Sequence, residues 1–136
     1  MNKVAKPKKS PPSSRPVRQR DGTAAENLAA EFLTMQGLHL LGRNYRIRGG
    51  EIDLICLEGQ TLVFVEVRLR RSPNFGGAAA SIDWQKRQRL ILAAQHYLLT
   101  HPAQQHRPCR FDCICFTALS LDSLEWISDA FDLVYD

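Results

Sequence analysis

Long apolar runs are missing from this sequence of 136 residues. No stretch approaches the roughly 18–20 consecutive apolar residues that a membrane-spanning helix needs, and no charged-then-apolar signal segment opens the chain. These features argue against a membrane protein and predict a cytoplasmic one. Hydrophobic residues make up 44% of the chain, which is typical of a globular domain with a modest core.

Cysteine is scarce, and its spacing does not suit a structural zinc site. Zinc sites usually contain CxxC-type pairs, whereas Cys109, Cys113 and Cys115 form a CxxxCxC pattern and Cys56 lies far from them. The pattern favours buried thiols in a reducing compartment.

Charge is unevenly distributed, and two segments lack one sign altogether. Residues 1–20 contain seven of the 18 Lys and Arg residues, four of the seven prolines and no acid. This composition predicts a disordered basic tail at 1–20 and a single domain at 21–136. The other 11 basic residues all lie between Arg43 and Arg110, whereas the last 26 residues carry six acids and no Lys or Arg. The middle of the domain is therefore the expected positive surface.

The apolar pattern of the domain predicts an α/β fold. Helical spacing predicts one helix over about 23–36 and a second over about 82–100, which Pro102 ends. Three strands are predicted in LHLLGRNYRIR, EIDLICL and TLVFVEVRLR, a fourth in CRFDCICFTA, and a short fifth in LEWIS. The order α-β-β-β-α-β indicates a central mixed β-sheet flanked by helices.

Two carboxylates interrupt the predicted hairpin of the second and third strands. Asp53 lies within EIDLICL and Glu66 within LVFVEVR, although burial of a carboxylate costs free energy unless something compensates it. A turn at 59–60 places the two residues opposite each other, and a turn at 58–59 places them diagonally. Both registers predict one shared face and a Cβ separation of roughly 5–8 Å. A Mg²⁺ ion would relieve their repulsion; an ion pair of Glu66 with Arg68 is the structural alternative.

The motifs GGEIDLI and LVFVEVR, with RNYR before them and RFD after them, resemble the YraN-like family. This family consists of small bacterial proteins that are similar to restriction-endonuclease-like nucleases and to archaeal Holliday junction resolvases. The resemblance covers about residues 21–134 and implies a restriction-endonuclease-like core with hydrolysis of DNA phosphodiesters as the reaction. It implies Mg²⁺ or Mn²⁺ as the cofactor and DNA as the partner, and a homodimer is compatible with it.

The resemblance also implies roles for individual residues. Asp53 and Glu66 match the two acidic metal ligands, and Val67 contributes its backbone carbonyl. Glu26 matches the helical acid of the resolvase-like members. The segment TAAE gives Glu26 an alternative role, because it has the S/T-x-x-E spacing of a capping box that starts at Thr23.

Arg68 departs from the family pattern, which has Lys at this place. Because Arg does not lose its proton, Arg68 is expected to stabilise the transition state and not to act as a base. The departure supports a second interpretation, a nucleic-acid-binding module that retains the fold but has weak or no turnover. A third is a structural or regulatory partner protein whose carboxylates are merely paired.

Basic residues flank the two carboxylates in the sequence and predict a nucleic-acid surface. The residues assigned to it are Arg43, Arg46, Arg48, Arg70, Lys86, Arg87 and Arg89. The last three fall in the first turns of the second predicted helix, where cations oppose the helix dipole, and this indicates an anion nearby. A solvated basic face is the alternative. Lys86 is the only lysine in residues 21–136.

Overall fold

The computed structural model describes residues 17–70 and 83–131. Over these ranges the chain forms a five-stranded mixed sheet with one α-helix on each face. In chain order the elements are α1 (Val17–Met35), β1 (His39–Ile47), β2 (Gly50–Glu58), β3 (Thr61–Leu69), α2 (Trp84–Thr100), β4 (Cys109–Phe116) and β5 (Glu125–Phe131). The predicted α/β class and element order are confirmed. Neither helix in the described ranges combines the length and apolar character needed to cross a membrane.

The strands lie in the order β1-β2-β3-β4-β5. β1, β2 and β3 form an antiparallel meander, β4 is parallel to β3, and β5 is antiparallel to β4. α2 lies in the connection between β3 and β4, since parallel neighbours require a crossover. Glu58 pairs with Thr61, so the β2–β3 turn is at 59–60, the first of the two predicted registers. Gly59 adopts a φ of 60° there, a value that favours glycine.

α1 begins earlier than predicted, at Val17 instead of near residue 23. Thr23 therefore lies inside the helix and not at its N-cap, so the predicted capping box of Thr23 and Glu26 is wrong. Gly22 lies inside the helix, where a glycine costs only about 1 kcal/mol, which the packing of α1 on the sheet offsets. Residues 17–20 of the predicted tail belong to this helix, and the rest of the tail lies outside the described residues.

α2 begins at Trp84, and Asp83 is its N-cap. The Asp83 side chain accepts a hydrogen bond from the backbone N of Lys86 at 2.8 Å. Further along, the helix backbone lies directly on β2 at Gly50. A Cβ at this position would be 2.5 Å from the carbonyl oxygen of Arg89 and 3.1 Å from the N of Ala93. The second glycine of GGEIDLI thus permits the close approach of α2 to the sheet.

Each helix covers one apolar layer of the sheet. The layer under α2 includes Ile52, Leu62, Phe64, Leu90, Tyr97 and Phe111, and the layer under α1 includes Ala29, Leu33, Leu54, Val63, Val65 and Ile114. Ile52 and Leu54 lie in different layers, although residues two apart share a face in a regular strand. The alternation of β2 is therefore interrupted at Asp53.

Asp112, the acid of the RFD motif, is buried and fully hydrogen-bonded. It accepts hydrogen bonds from Arg110 Nε at 2.9 Å and Nη2 at 3.1 Å, from Trp126 Nε1 at 2.9 Å, and from the backbone N of Asp129 at 2.9 Å. Asp129 has a φ of 57° beside the register shift between β4 and β5. Asp112 thus fixes the β4–β5 edge and has a structural role.

Candidate active site

The sheet divides near its centre, and this division positions the acidic residues. β2 and β3 pair as far as Leu54 and Val65 and no further. Beyond that point β2 remains paired with β1, and β3 remains paired with β4. The two strands thus diverge at residues 51–53 and 66–68, a region that we call the sheet fork.

Asp53 lies where the fork opens. Its Oδ2 accepts a hydrogen bond from the backbone N of Val67 at 2.8 Å, in the place of a main-chain carbonyl of β2. The backbone N atoms of Leu62 and Arg70 donate to Pro108 and Phe116, on the β4 side of the strand. The backbone N–H and C=O groups of even-numbered β3 residues therefore point towards β4, and those of odd-numbered residues point towards β2. The carbonyl of Val67 consequently faces the fork as well.

Glu66 lies across the fork from Asp53 and is only 2% exposed. A side-chain hydrogen bond joins the Glu66 and Asp53 carboxyl groups, and this requires a proton on one of them. Lys86 Nζ, from the first turn of α2, lies 3.1 Å from Glu66 Oε2, and Arg68 Nε lies 4.0 Å from the same oxygen. A shared proton and Lys86 thus compensate the two buried carboxylates in this state, a solution that the sequence did not predict.

Burial dominates the acid–base properties of this pair. Burial, and secondarily the neighbouring Asp53, raises the pKa of Glu66 to about 8, against the opposing effect of Lys86. Burial also raises the pKa of Asp53, whereas the hydrogen bonds from Val67 N–H and Glu66 lower it. Because its pKa is raised to about 8, Glu66 is mainly protonated at neutral pH and supplies the proton of the hydrogen bond with Asp53.

A third acid, Glu26, approaches from α1 and is held by Asn44. The Asn44 side chain donates a hydrogen bond to Glu26, and the charge of Asp53 acts on the same carboxylate. Burial is the main cause of a raised pKa at Glu26, followed by Asp53. Asn44 has a φ of 52° in β1. Its neighbours Arg43 and Tyr45 pair with Leu54 and Ile52, the residues on either side of Asp53. Asn44, and not a cap at Thr23, therefore accounts for the position of Glu26.

The predicted basic residues differ in their exposure and in the groups that they contact. Arg43 Nη2 donates to Asn27 Oδ1 at 2.6 Å, and Arg46 Nε lies 3.8 Å from Glu51. Both arginines act on the charge of Glu26, so they lie near the fork. The exposed residues of the set are Arg43, Arg46, Arg48, Arg70 and Arg89. The guanidinium of Arg87 lies 5.5 Å from the ring centroid of Phe131, and its Nε is buried, so Arg87 packs into the domain.

Two residues beside the fork gain roles that the sequence does not predict. Lys86, predicted to bind nucleic acid, contacts the carboxylate of Glu66 with its ammonium group. Asn44, which has no predicted role, holds Glu26. Its signal is an asparagine in the middle of a strand-like RNYR segment, since asparagine is rare in strands and adopts left-handed backbone more readily than most residues.

The donor groups of the fork fit Mg²⁺ or Mn²⁺ with few protein ligands. Across residues 17–70 and 83–131, no group of three or more His, Cys, Asp and Glu side chains is arranged to hold a metal ion. Mg²⁺, however, commonly takes one or two carboxylates and retains several waters. Asp53, Glu66 and the Val67 carbonyl meet that requirement, provided that the shared proton leaves.

Fold and site together define an α/β protein with a buried carboxylate pair at a fork in its sheet. The chain belongs to the uncharacterised protein family UPF0102, whose model matches residues 25–116, a range that includes every residue of the fork. A UPF0102 protein of Methylobacillus flagellatus is 54% identical over 110 residues, which cover 81% of this chain and 95% of the relative. A UPF0102 protein of Alcanivorax borkumensis is 49% identical over 116 residues, which cover 84% and 93%. The predicted membership of the YraN-like family is confirmed.

Proposed function

We propose that this protein is a metal-dependent DNA endonuclease that hydrolyses phosphodiester bonds at the sheet fork. The observation that supports this function is the buried pair of Asp53 and Glu66 with Lys86 beside it. Two acids and a cation in an apolar sheet cost stability compared with apolar side chains. Such groups with strongly perturbed pKa values are most common where a protein binds ions or performs chemistry.

The residues of the fork have distinct roles in this proposal. Asp53, Glu66 and the Val67 carbonyl would hold Mg²⁺ or Mn²⁺, which when bound would supply an activated water and neutralise phosphate charge. Asp53 is kept in place by the N–H of Val67. Glu66 would bind the ion in its deprotonated form. Glu26 accepts a hydrogen bond from Asn44 and lies near enough for the charge of Asp53 to act on it.

Exposed cations near the fork support a nucleic acid as the substrate. Arg43 and Arg46 lie exposed on the edge strand β1, and Arg48 lies exposed in the turn that follows it. Trp84 is 59% exposed at the start of α2. Arginines contact backbone phosphates, and an exposed aromatic ring can stack on a base. Binding is therefore expected to weaken steeply with salt, because each neutralised phosphate releases counterion.

A cleavage assay tests this proposal. Wild-type protein, Asp53→Asn and the control Glu31→Gln, an exposed acid of α1, are incubated with plasmid, linear duplex, single-stranded and four-way-junction DNA. We expect cleavage of at least one form with Mg²⁺ or Mn²⁺, and a loss of about 10²–10³-fold in Asp53→Asn only. Mn²⁺ should also raise the melting temperature of wild type but not of Asp53→Asn. A wild type that cuts none of these forms, or an equally active Asp53→Asn, contradicts the proposal.

Arg68 favours a second candidate, a DNA-binding module without turnover. An arginine cannot replace the family's lysine in proton transfer. In that case wild type binds DNA in a salt-dependent manner but cuts none, and Asp53→Asn binds as well or better because one negative charge is removed. If the protein neither binds DNA nor responds to metal, the carboxylates are a structural pair.

A further inference from the structure

Two cations lie near Glu66, and they differ in exposure and surroundings. The Lys86 side chain is 38% exposed and its Nζ lies 3.1 Å from Glu66 Oε2. The Arg68 side chain is 15% exposed, and its Nε lies 4.0 Å from that oxygen. The charge of Lys86 lowers the pKa of both Asp53 and Glu66, and the charge of Arg68 lowers the pKa of Cys113 on β4. Lys86 is thus the cation nearer to the acid pair and the one more accessible to solvent.

Two features of α2 hold Lys86 at this place. The N-cap Asp83 accepts a hydrogen bond from the backbone N of Lys86, which fixes the first turn of the helix. Gly50 lets the helix backbone descend onto β2 at Arg89, about one turn later. A lysine in the first turn opposes the helix dipole, so this position is unfavourable for the helix itself. The contact with Glu66 offsets that cost.

We infer that Lys86, supplied by α2, is the catalytic cation of the sheet fork and contacts the phosphate that is cleaved. It takes the role that the family pattern gives to the strand residue at 68. This inference rests on the proposed nuclease function. As an ammonium group on a flexible stem, Lys86 can contact a non-bridging phosphate oxygen while it remains beside Glu66, and it stabilises the negative charge that develops in the transition state.

Single-turnover cleavage tests the inference, because saturating protein removes the effect of weakened DNA binding. The variants are Lys86→Met, Lys86→Arg, Arg68→Met and the control Arg107→Gln, which removes a cation from the opposite end of β3, beside Gln60. We expect Lys86→Met to reduce the rate by about 10²–10³-fold and Arg68→Met by less than about 10-fold. Lys86→Arg should restore part of the rate, and Arg107→Gln should match wild type. Urea unfolding of each variant verifies that it is folded.

A Mn²⁺ titration without DNA, followed by electron paramagnetic resonance, separates this inference from the proposed function. Lys86→Met should bind Mn²⁺ about 3–10-fold more tightly than wild type, because a cation next to the ligand oxygen is removed. Arg68→Met should change the affinity less. If no DNA is cut but Lys86→Met still changes Mn²⁺ affinity more than Arg68→Met does, the nuclease proposal fails and Lys86 is still the cation of the fork. If Lys86→Met cuts as fast as wild type, or leaves Mn²⁺ affinity unchanged while Arg68→Met alters it, the inference is overturned.

Discussion

The shared proton of the carboxylate pair predicts a specific dependence of stability on pH. The perturbation is Glu66→Gln, measured in metal-free buffer with a chelator. A glutamine amide has nearly the same shape as a protonated glutamate and can donate the same hydrogen bond to Asp53. It does not ionise, however, so the variant never buries a charge at this position. Wild type and variant should therefore differ in how their stability changes with pH, not only in its value.

The magnitude follows from the pKa of Glu66 in the folded protein, about 8, against an ordinary value of 4.5. Since the folded pKa is raised, the stabilisation by this proton is complete below the ordinary value and is lost as pH rises through about 8. Between these limits the free energy of unfolding falls by about 1.4 kcal/mol per pH unit for one proton. Over two pH units, from about 5.5 to 7.5, the loss is on the order of 3 kcal/mol.

The assay is urea unfolding of wild type, Glu66→Gln and the control Glu31→Gln at several pH values over this range. The stability of Glu66→Gln relative to wild type should increase by about 3 kcal/mol as pH rises. The curve of the control should parallel that of wild type. Parallel curves for Glu66→Gln and wild type would refute the shared proton and, with it, the explanation of how two acids are buried in this sheet.

Three further predictions concern packing and position. Gly50→Ala forces α2 away from β2 and should lower the free energy of unfolding, measured with urea, by about 1–3 kcal/mol. The control Gly22→Ala should cost no stability, because nothing lies within 4 Å of the added Cβ. An equal loss of stability in the two variants would contradict this prediction. Asp112→Ala leaves its buried donors without an acceptor and should lower the free energy of unfolding by about 3–5 kcal/mol. The control Glu58→Gln, at a more exposed acid, should lower it by less than about 1 kcal/mol. Coinciding unfolding curves for Asp112→Ala and wild type would exclude a structural role for Asp112. Asn44→Gly retains the left-handed backbone but removes the side-chain amide. We expect its free energy of unfolding to lie within about 1 kcal/mol of wild type and its Mn²⁺ binding, measured by calorimetry, to be weaker. Unchanged Mn²⁺ binding would show that the position of Glu26 does not depend on Asn44.

Much of the architecture follows from the local sequence pattern. Apolar alternation and continuous apolar runs identify the strands, because side-chain direction in a strand repeats every two residues. A two-residue turn at Gly59 joins the second and third strands in both predicted registers, and it places Asp53 and Glu66 on adjacent strands; the structure selects the turn at 59–60. The two acids stand out in the sequence because they interrupt apolar runs that the strand pattern identifies.

The arrangement of the fork was decided only by the tertiary structure. The pattern of a strand does not state where it leaves one neighbour, and here the divergence of β2 from β3 breaks the alternation at Asp53. Glu26 and Lys86 come from helices on opposite faces of the sheet, so the approach of both to Asp53 depends on how those helices pack. Local sequence encodes periodicity and propensity, but it contains no distance between an α2 lysine and a β3 glutamate. That distance is set by the close approach of α2 at Gly50, a contact between residues far apart in the chain.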